Sequence, residues 1–159
     1  MAEALVGWTV EQRFAGRSDH VVVRARRGAG PPVVIKATTP GASWAERARL
    51  RHEGRLLEVA RGPGVVDLLD VVDSRGRTAL VLGFVPIPSG RRPDADLRQL
   101  REAVERLHRC GIAHGAIRRE HVLLTADGEP VLCGFGRARR SAATGPDLAE
   151  LARLLQTSG

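Results

Sequence analysis

Val33-Val34-Ile35-Lys36 is an apolar run that ends in the only lysine of the chain. Lysine and arginine together number 25, and every one of the others is arginine. The run reads as a buried strand closing on a charge, which costs energy unless the charge is paired. An ammonium is a compact point charge on a slim stem, whereas a guanidinium is a wide planar fork. A position that keeps lysine among so many arginines is therefore one where slimness counts. The best candidate partner is Glu53, in the helical stretch Ala45–Ala60. Taken by themselves, the two residues make either a fold-holding ion pair or the remainder of an anion site.

Outward from this run the chain punctuates clearly. Trp8–Phe14 and His20–Arg26 alternate and read as a hairpin, and Gly28-Ala29-Gly30-Pro31-Pro32 as a turn before the third strand. Ser43 is placed to cap the helix that follows, whose one face carries Leu50, Glu53 and Leu57. Val65–Val72 and Thr78–Val85 read as two further strands around the turn Ser74-Arg75-Gly76. Pro86-Ile87-Pro88-Ser89-Gly90 reads as a connector. From Asp94 an amphipathic helix spaces Leu97, Leu100, Val104 and Leu107 by three and four. Val122–Leu124 and Pro130–Cys133 form a short hairpin around Asp127-Gly128, and Asp147–Leu155 is a last helix.

Four motifs in this order resemble protein kinases. Val33–Lys36 looks like the V-A-I-K strand, and Glu53 like the glutamate of kinase helix C. Leu107-His108-Arg109-Cys110-Gly111-Ile112-Ala113-His114-Gly115-Ala116-Ile117-Arg118-Arg119-Glu120-His121-Val122-Leu123-Leu124 resembles the end of helix E and the catalytic loop. Val131-Leu132-Cys133-Gly134-Phe135-Gly136 resembles the strand and turn of the D-F-G motif. The resemblance runs from about Trp8 to Leu155. It implies an α+β, truncated bilobal protein kinase-like fold, with a five-stranded N-lobe and helix C and a reduced C-lobe ending near helix F. On that reading 1–159 is a single kinase-like domain, 8–85 its N-lobe and 91–159 its reduced C-lobe.

The same alignment puts unsuitable residues where phosphoryl transfer needs its chemistry. That reaction requires positioned phosphates, a charge-neutralising metal and a carboxylate to take the hydroxyl proton. The carboxylate position falls on Ala116, whose methyl group accepts no proton. The metal-binding Asn position falls on His121, and Mg²⁺ prefers oxygen. The D-F-G aspartate position falls on Gly134. The glycine-loop positions fall on Ala15, Arg17 and His20, the alanine that roofs adenine is Val34, and Gly83 stands at the hinge where an acidic residue is common. The resemblance keeps scaffold residues: His114 as a satisfied core histidine, Phe135 and Gly136 packing under helix C, and Asp147 accepting backbone hydrogen bonds from the catalytic-loop turn. The run from Gly136 to Asp147 is too short for a peptide-docking activation segment, and no A-P-E follows.

The bulk numbers narrow the partners. Net charge is +7, while there are three Phe, two Trp and no Tyr. Basic clusters such as Arg24/Arg26/Arg27, Arg91/Arg92 and Arg137/Arg139/Arg140 can mean nucleic acid or an acidic partner, but single-strand binders usually add aromatic platforms, so solvated arginine faces are the default reading. Cys110 and Cys133 make no disulfide framework, and no stretch has the length of a membrane span. Met1-Ala2-Glu3-Ala4-Leu5 does not read as a secretory signal.

The expectation is a minimal, bacterial-type Ser/Thr pseudokinase in the cytoplasm, without metal or cofactor and with weak or absent Mg·ATP binding. It would act as a protein-interaction or regulatory scaffold. The alternatives are an atypical ATP-binding switch or enzyme using Lys36 without the usual metals, and a basic nucleic-acid-associated module. The helix Asp147–Leu155 reads as apolar nearly all round, and Leu148, Leu151, Leu154 and Leu155 are its expected interface with a partner protein or a second copy.

Overall fold

A computed structural model describes residues 7–17, 19–74, 76–86 and 96–156. The expected connector at 87–90, Arg91/Arg92, the approach at Asp94, and the side chains of Ala15, Arg17 and Leu155 lie outside the described residues. The chain divides into two compact units, one of residues 1–55 with 67–84 and one of 56–66 with 85–159. The stretch 56–66 therefore goes with the second unit, where the sequence reading put it in an N-lobe of 8–85.

The first unit is built on a five-stranded antiparallel sheet. Its strands are β1 (Thr9–Arg17), β2 (His20–Arg26), β3 (Val33–Thr38), β4 (Leu68–Ser74) and β5 (Arg77–Gly83), in the order β1-β2-β3-β5-β4. Strand alternation sends Val23, Ala25, Val33, Ile35, Ala37, Ala79 and Val81 into one apolar cluster. The other face carries Val22, Arg24, Val34, Lys36, Leu80 and Leu82, with Val22 opposite Lys36, Arg24 opposite Val34 and Lys36 opposite Leu80.

Helix α1 (Trp44–Ala60) opens on a capping box. Ser43 Oγ accepts the Glu46 N–H at 3.2 Å, and a Glu46 carboxylate oxygen accepts the Ser43 N–H at 2.6 Å. Gly54 lets the helix sit close to the sheet, since a Cβ there would lie 2.9 Å from Leu80 Cδ2 and 3.4 Å from Val71 Cγ2. Val65 and Val66 do not begin β4, contrary to the sequence reading. Val65 instead makes an isolated parallel bridge with Leu132, and the Val66 N–H donates to the Leu132 carbonyl at 2.9 Å. An apolar valine pair signals burial, but not which strand claims it.

In the second unit α2 (Leu97–Arg109) is capped by Asp96, whose side chain accepts from the Arg98 and Gln99 N–H groups. Its apolar stripe buries Leu100, Ala103, Val104 and Leu107. Short strands follow: β6 (Ile112–Ala113) pairs with β9 (Arg139–Arg140), and β7 (Val122–Leu124) with β8 (Pro130–Leu132). Helix α3 (Gly145–Gln156) closes the unit and begins two residues before Asp147. Arg106 on α2 closes the C-terminal end of α1: its guanidinium donates to the carbonyls of Ala60, Arg61 and Pro63 at 2.8, 3.2 and 2.8 Å.

Gly64 permits a close approach in the same region. It has φ +75°, and a Cβ there would lie 2.6 Å from Ala103 Cβ. Gly64→Ala is expected to cost about 2 to 4 kcal/mol from left-handed strain and overpacking together. Urea unfolding measures this, and an unchanged midpoint would mean that the loop shifts freely.

Candidate functional site

The chemistry-bearing residues fall in both units, and each group is described within its own. In the first unit Lys36 Nζ donates to both carboxylate oxygens of Glu53, at 2.9 and 2.7 Å. The side chains are 15% and 7% exposed. Pairing and two hydrogen bonds offset the cost of taking these charges out of water. A second tie holds α1 to β4: the Arg51 guanidinium grips Asp73 at 2.6 and 2.9 Å. Arg51 holds the Asp73 carboxyl below its usual range, against the effect of burial. Sequence reasoning missed this pair, because neither residue interrupts an apolar run and exposed Arg and Asp are common.

The sheet face around Lys36 is also charged. Glu11 accepts from Arg24 at 2.7 Å and from Arg26 at 2.8 Å. The Arg24 guanidinium lies 5.1 Å from the centroid of the Phe84 ring. Arg24 sits opposite Val34 in the β2–β3 register. His20 Nδ1 is 2.8 Å from Asp19 Oδ1.

In the second unit Asp147 organises the loop 113–117. Its Oδ2 accepts the His114 N–H at 2.7 Å, its Oδ1 accepts the Gly115 N–H at 2.8 Å, and His108 Nε2 lies 3.0 Å from Oδ2. Burial pushes the Asp147 carboxyl up, but the His108 side chain and these two N–H groups outweigh it and hold it below the usual carboxylate range. The Ile117 N–H donates to Glu150 Oε2 at 2.7 Å.

His114 is fully buried. Its Nε2–H donates to the Cys133 carbonyl at 3.0 Å, and the edge of its ring meets Phe135 with centroids 4.7 Å apart. The expectation of a satisfied core histidine needs correction. Among the described residues its Nδ1 is buried with no hydrogen-bond partner. Burial holds the imidazole pKa below the usual value, although the Cys133 hydrogen bond and the Asp147 charge raise it. Phe135 is buried in a 3-10 turn, Phe135–Arg137, which also contains exposed Gly136.

Ala116, His121 and Gly134 meet at one point. The His121 ring donates from Nδ1 to the Ala116 carbonyl at 2.8 Å, since a carbonyl only accepts. Gly134 has φ +77°, and a Cβ there would lie 2.5 Å from His121 Cδ2 and 2.8 Å from Nε2. The imidazole therefore fills the space that a side chain at 134 would take.

The candidate interface on α3 also changes. Leu148 is 45% exposed but Leu151 only 3%, so Leu151 belongs to the core rather than to an interface. Leu154 is half-buried. Buried Asp147 and Leu151 lie four apart on one helix side, so the helix is not apolar all round but two-sided.

No protein-family model matches the chain. It is 32% identical over 99 residues to the hormonally up-regulated neu tumor-associated kinase of Mus musculus, covering 55% of this chain and 14% of that protein. It is 34% identical over 106 residues to the serine/threonine-protein kinase pkn2 of Myxococcus xanthus, covering 57% of this chain and 13% of the relative. With the CBL-interacting protein kinase 8 of Oryza sativa subsp. japonica the identity is 29% over 100 residues, 55% of this chain and 22% of the other. Over that stretch the chain is similar to these protein kinases, and it spans less than a quarter of the length of each. The mixed α+β architecture, with its five-stranded antiparallel sheet, is compatible with a truncated kinase-like fold.

Two outcomes follow. Lys36→Ala strands the Glu53 carboxylate and is expected to lower stability by about 3 kcal/mol, while Lys36→Met with Glu53→Leu regains most of the loss. Equal urea midpoints for wild type and Lys36→Ala would mean that the pair contributes nothing. The second outcome concerns pH. Above about 6.5, the unfolded histidine pKa, His114 is neutral in both states. Below it the unfolded chain takes up a proton that the buried ring resists, so stability falls with pH until the folded pKa is reached. Asp147 has the depressed-carboxyl sign, so its contribution is present above about pH 4 and is lost further into acid. The urea midpoint should therefore decline from pH 7.5 to 5, and His114→Gln should flatten that slope. An identical slope in the variant would exclude His114 as its source.

Proposed function

We propose that this chain is a kinase-like domain that transfers no phosphate and works by binding a protein partner. The observation that carries the reading is the packing of the His121 imidazole against Gly134 with its Nδ1–H on the Ala116 carbonyl. These are the three positions where the kinase pattern calls for a proton-accepting carboxylate and the metal-binding oxygens. A methyl group, an imidazole and a bare backbone do not fit Mg²⁺, which demands oxygen ligands in near-octahedral array. Among the described residues no group of three His, Cys, Asp or Glu is placed to hold a metal ion. Lys36, which matches the lysine of the kinase pattern, spends both of its observed hydrogen bonds on Glu53. On this reading Lys36–Glu53 and Asp147 serve the scaffold, and function lies on a surface.

Two further parts of the reading are proposals of the same kind. The Arg24–Phe84 contact beside Val34 supports weak or absent nucleotide binding, because a guanidinium tied to Glu11 occupies the sheet face that would cover a base. A cytoplasmic setting suits Cys110 and Cys133, two half-buried cysteines not joined in a disulfide. Among the described residues no helix is long and apolar enough to cross a membrane.

Incubation with radiolabelled ATP and Mg²⁺ or Mn²⁺ is expected to label neither the chain nor a generic substrate above a Lys36→Ala control. Metal-dependent labelling above that control would refute the proposal. Restoring one acidic group should fail for a steric reason. Gly134→Asp is expected to cost about 2 to 4 kcal/mol, because its Cβ meets the His121 ring at a left-handed residue. His121→Asn in the same chain is expected to recover at least half of that loss. A Gly134→Asp variant as stable as wild type would show that the imidazole does not fill the site.

A further inference from the structure

Glu150, Arg153 and Leu154 stand three and four residues apart on α3 and so share one helix edge. Ile117 and Arg118 face them from the loop. Between these walls lies a groove of about 320 Å³ lined by these five side chains. Ile117 is 2% exposed and Leu154 half-buried, which makes the floor aliphatic. The rim carries two guanidinium groups and one carboxylate. That carboxylate is engaged, since Glu150 Oε2 accepts the Ile117 N–H at 2.7 Å and ties loop to helix.

Arg118 projects toward solvent. Its side chain is 42% exposed, and its contact with Glu120 is a long 3.7 Å to a group itself 65% exposed. Such a pair is weak and screened, so it is readily exchanged for another anion. Arg119, Arg137 and Arg139 are exposed in the neighbouring segments. Arg139 Nη1 lies 3.1 Å from where a Cβ on Gly115 would be, just before the loop wall.

We infer that this groove captures an acidic segment of a partner protein. Its carboxylates would replace Glu120 at Arg118 and meet the positive charge of Arg153, and an aliphatic side chain would rest on Ile117 and Leu154. Charge complementarity decides the occupant: the rim is net cationic, and complementary charge both steers encounter and selects the partner. The aliphatic floor disfavours a polynucleotide, which would look for aromatic platforms that none of the five lining residues supplies. The inference rests on the proposed interaction role and names the chemistry of the partner.

The test is fluorescence anisotropy with a labelled peptide of alternating glutamate and leucine. Its counterpart with lysine for glutamate and an oligothymidine serve as competitors. Saturable binding of the acidic peptide is expected, weakening with added salt. Arg118→Glu with Arg153→Glu should weaken it by about tenfold or more. Glu150→Gln keeps an acceptor for the Ile117 N–H, removes the one lining carboxylate, and should tighten binding severalfold. Arg98→Glu, on exposed α2 surface, should change nothing beyond a general salt-like effect. If the double charge reversal does not fold by circular dichroism, Arg118→Ala and Glu150→Gln carry the test. No saturable binding, equal binding of the lysine peptide, or displacement by oligothymidine at the same concentration overturns the inference. The same preparations are assayed for Mg·ATP turnover. Turnover overturns the non-catalytic reading whatever the peptide does, whereas an inert chain that ignores the peptide overturns the groove alone.

Discussion

Asp147 is the constraint on which the second unit depends. A carboxylate 1% exposed must find donors or give up its charge. It finds them in the backbone of His114 and Gly115 and in the ring of His108. These contacts fix α3 to the loop and the loop to α2. Everything the loop presents follows from that anchorage: the Ala116 carbonyl that receives His121, the Ile117 N–H that Glu150 holds, and the position of Arg118 at the surface. The anchor is electrostatic, but its effect is geometric.

Lys36–Glu53 plays a comparable part in the first unit, with a different balance of terms. Both members are charged, so the pair must offset two desolvation costs, and breaking it leaves one charge stranded. The slim lysine stem reaches Glu53 from the middle of the sheet, between Val22 and Leu80, where a guanidinium fork would need more room. Arg51–Asp73 repeats the helix-to-sheet tie at the surface, where water screens it and its contribution is small.

The point where Ala116, His121 and Gly134 meet shows how three residues become one feature. Glycine at 134 leaves room for the imidazole, and the imidazole in turn leaves no room for a side chain at 134. The Ala116 carbonyl orients the ring. Residues interlocked in this way are not independent, and altering one is expected to depend on the others.

Much of the fold was legible because local chemistry announces it. Alternation marked β1 and β2, an apolar run closing on Lys36 marked β3, Ser43 marked the start of α1, and the three-and-four spacing of Leu97, Leu100, Val104 and Leu107 marked α2. What stayed hidden depended on partners distant in sequence. Val65 and Val66 read as the start of a strand, yet the Leu132 backbone claims them. The role of Arg106 as the cap of α1 has no local signature, because the carbonyls it satisfies lie more than forty residues away. Leu148 and Leu151 look alike in sequence, and only the packing beside Asp147 buries one and exposes the other. His114 could be placed in the core, but that its Nδ1 has no hydrogen-bond partner among the described residues could not be foreseen. Local chemistry along the chain sets where the longer strands and helices form, since propensity, spacing and capping act over a few residues. Tertiary structure alone decided which charges meet, which leucine is covered and that an imidazole fills the space at Gly134, because burial, desolvation and steric exclusion are set by neighbours the chain brings together only on folding.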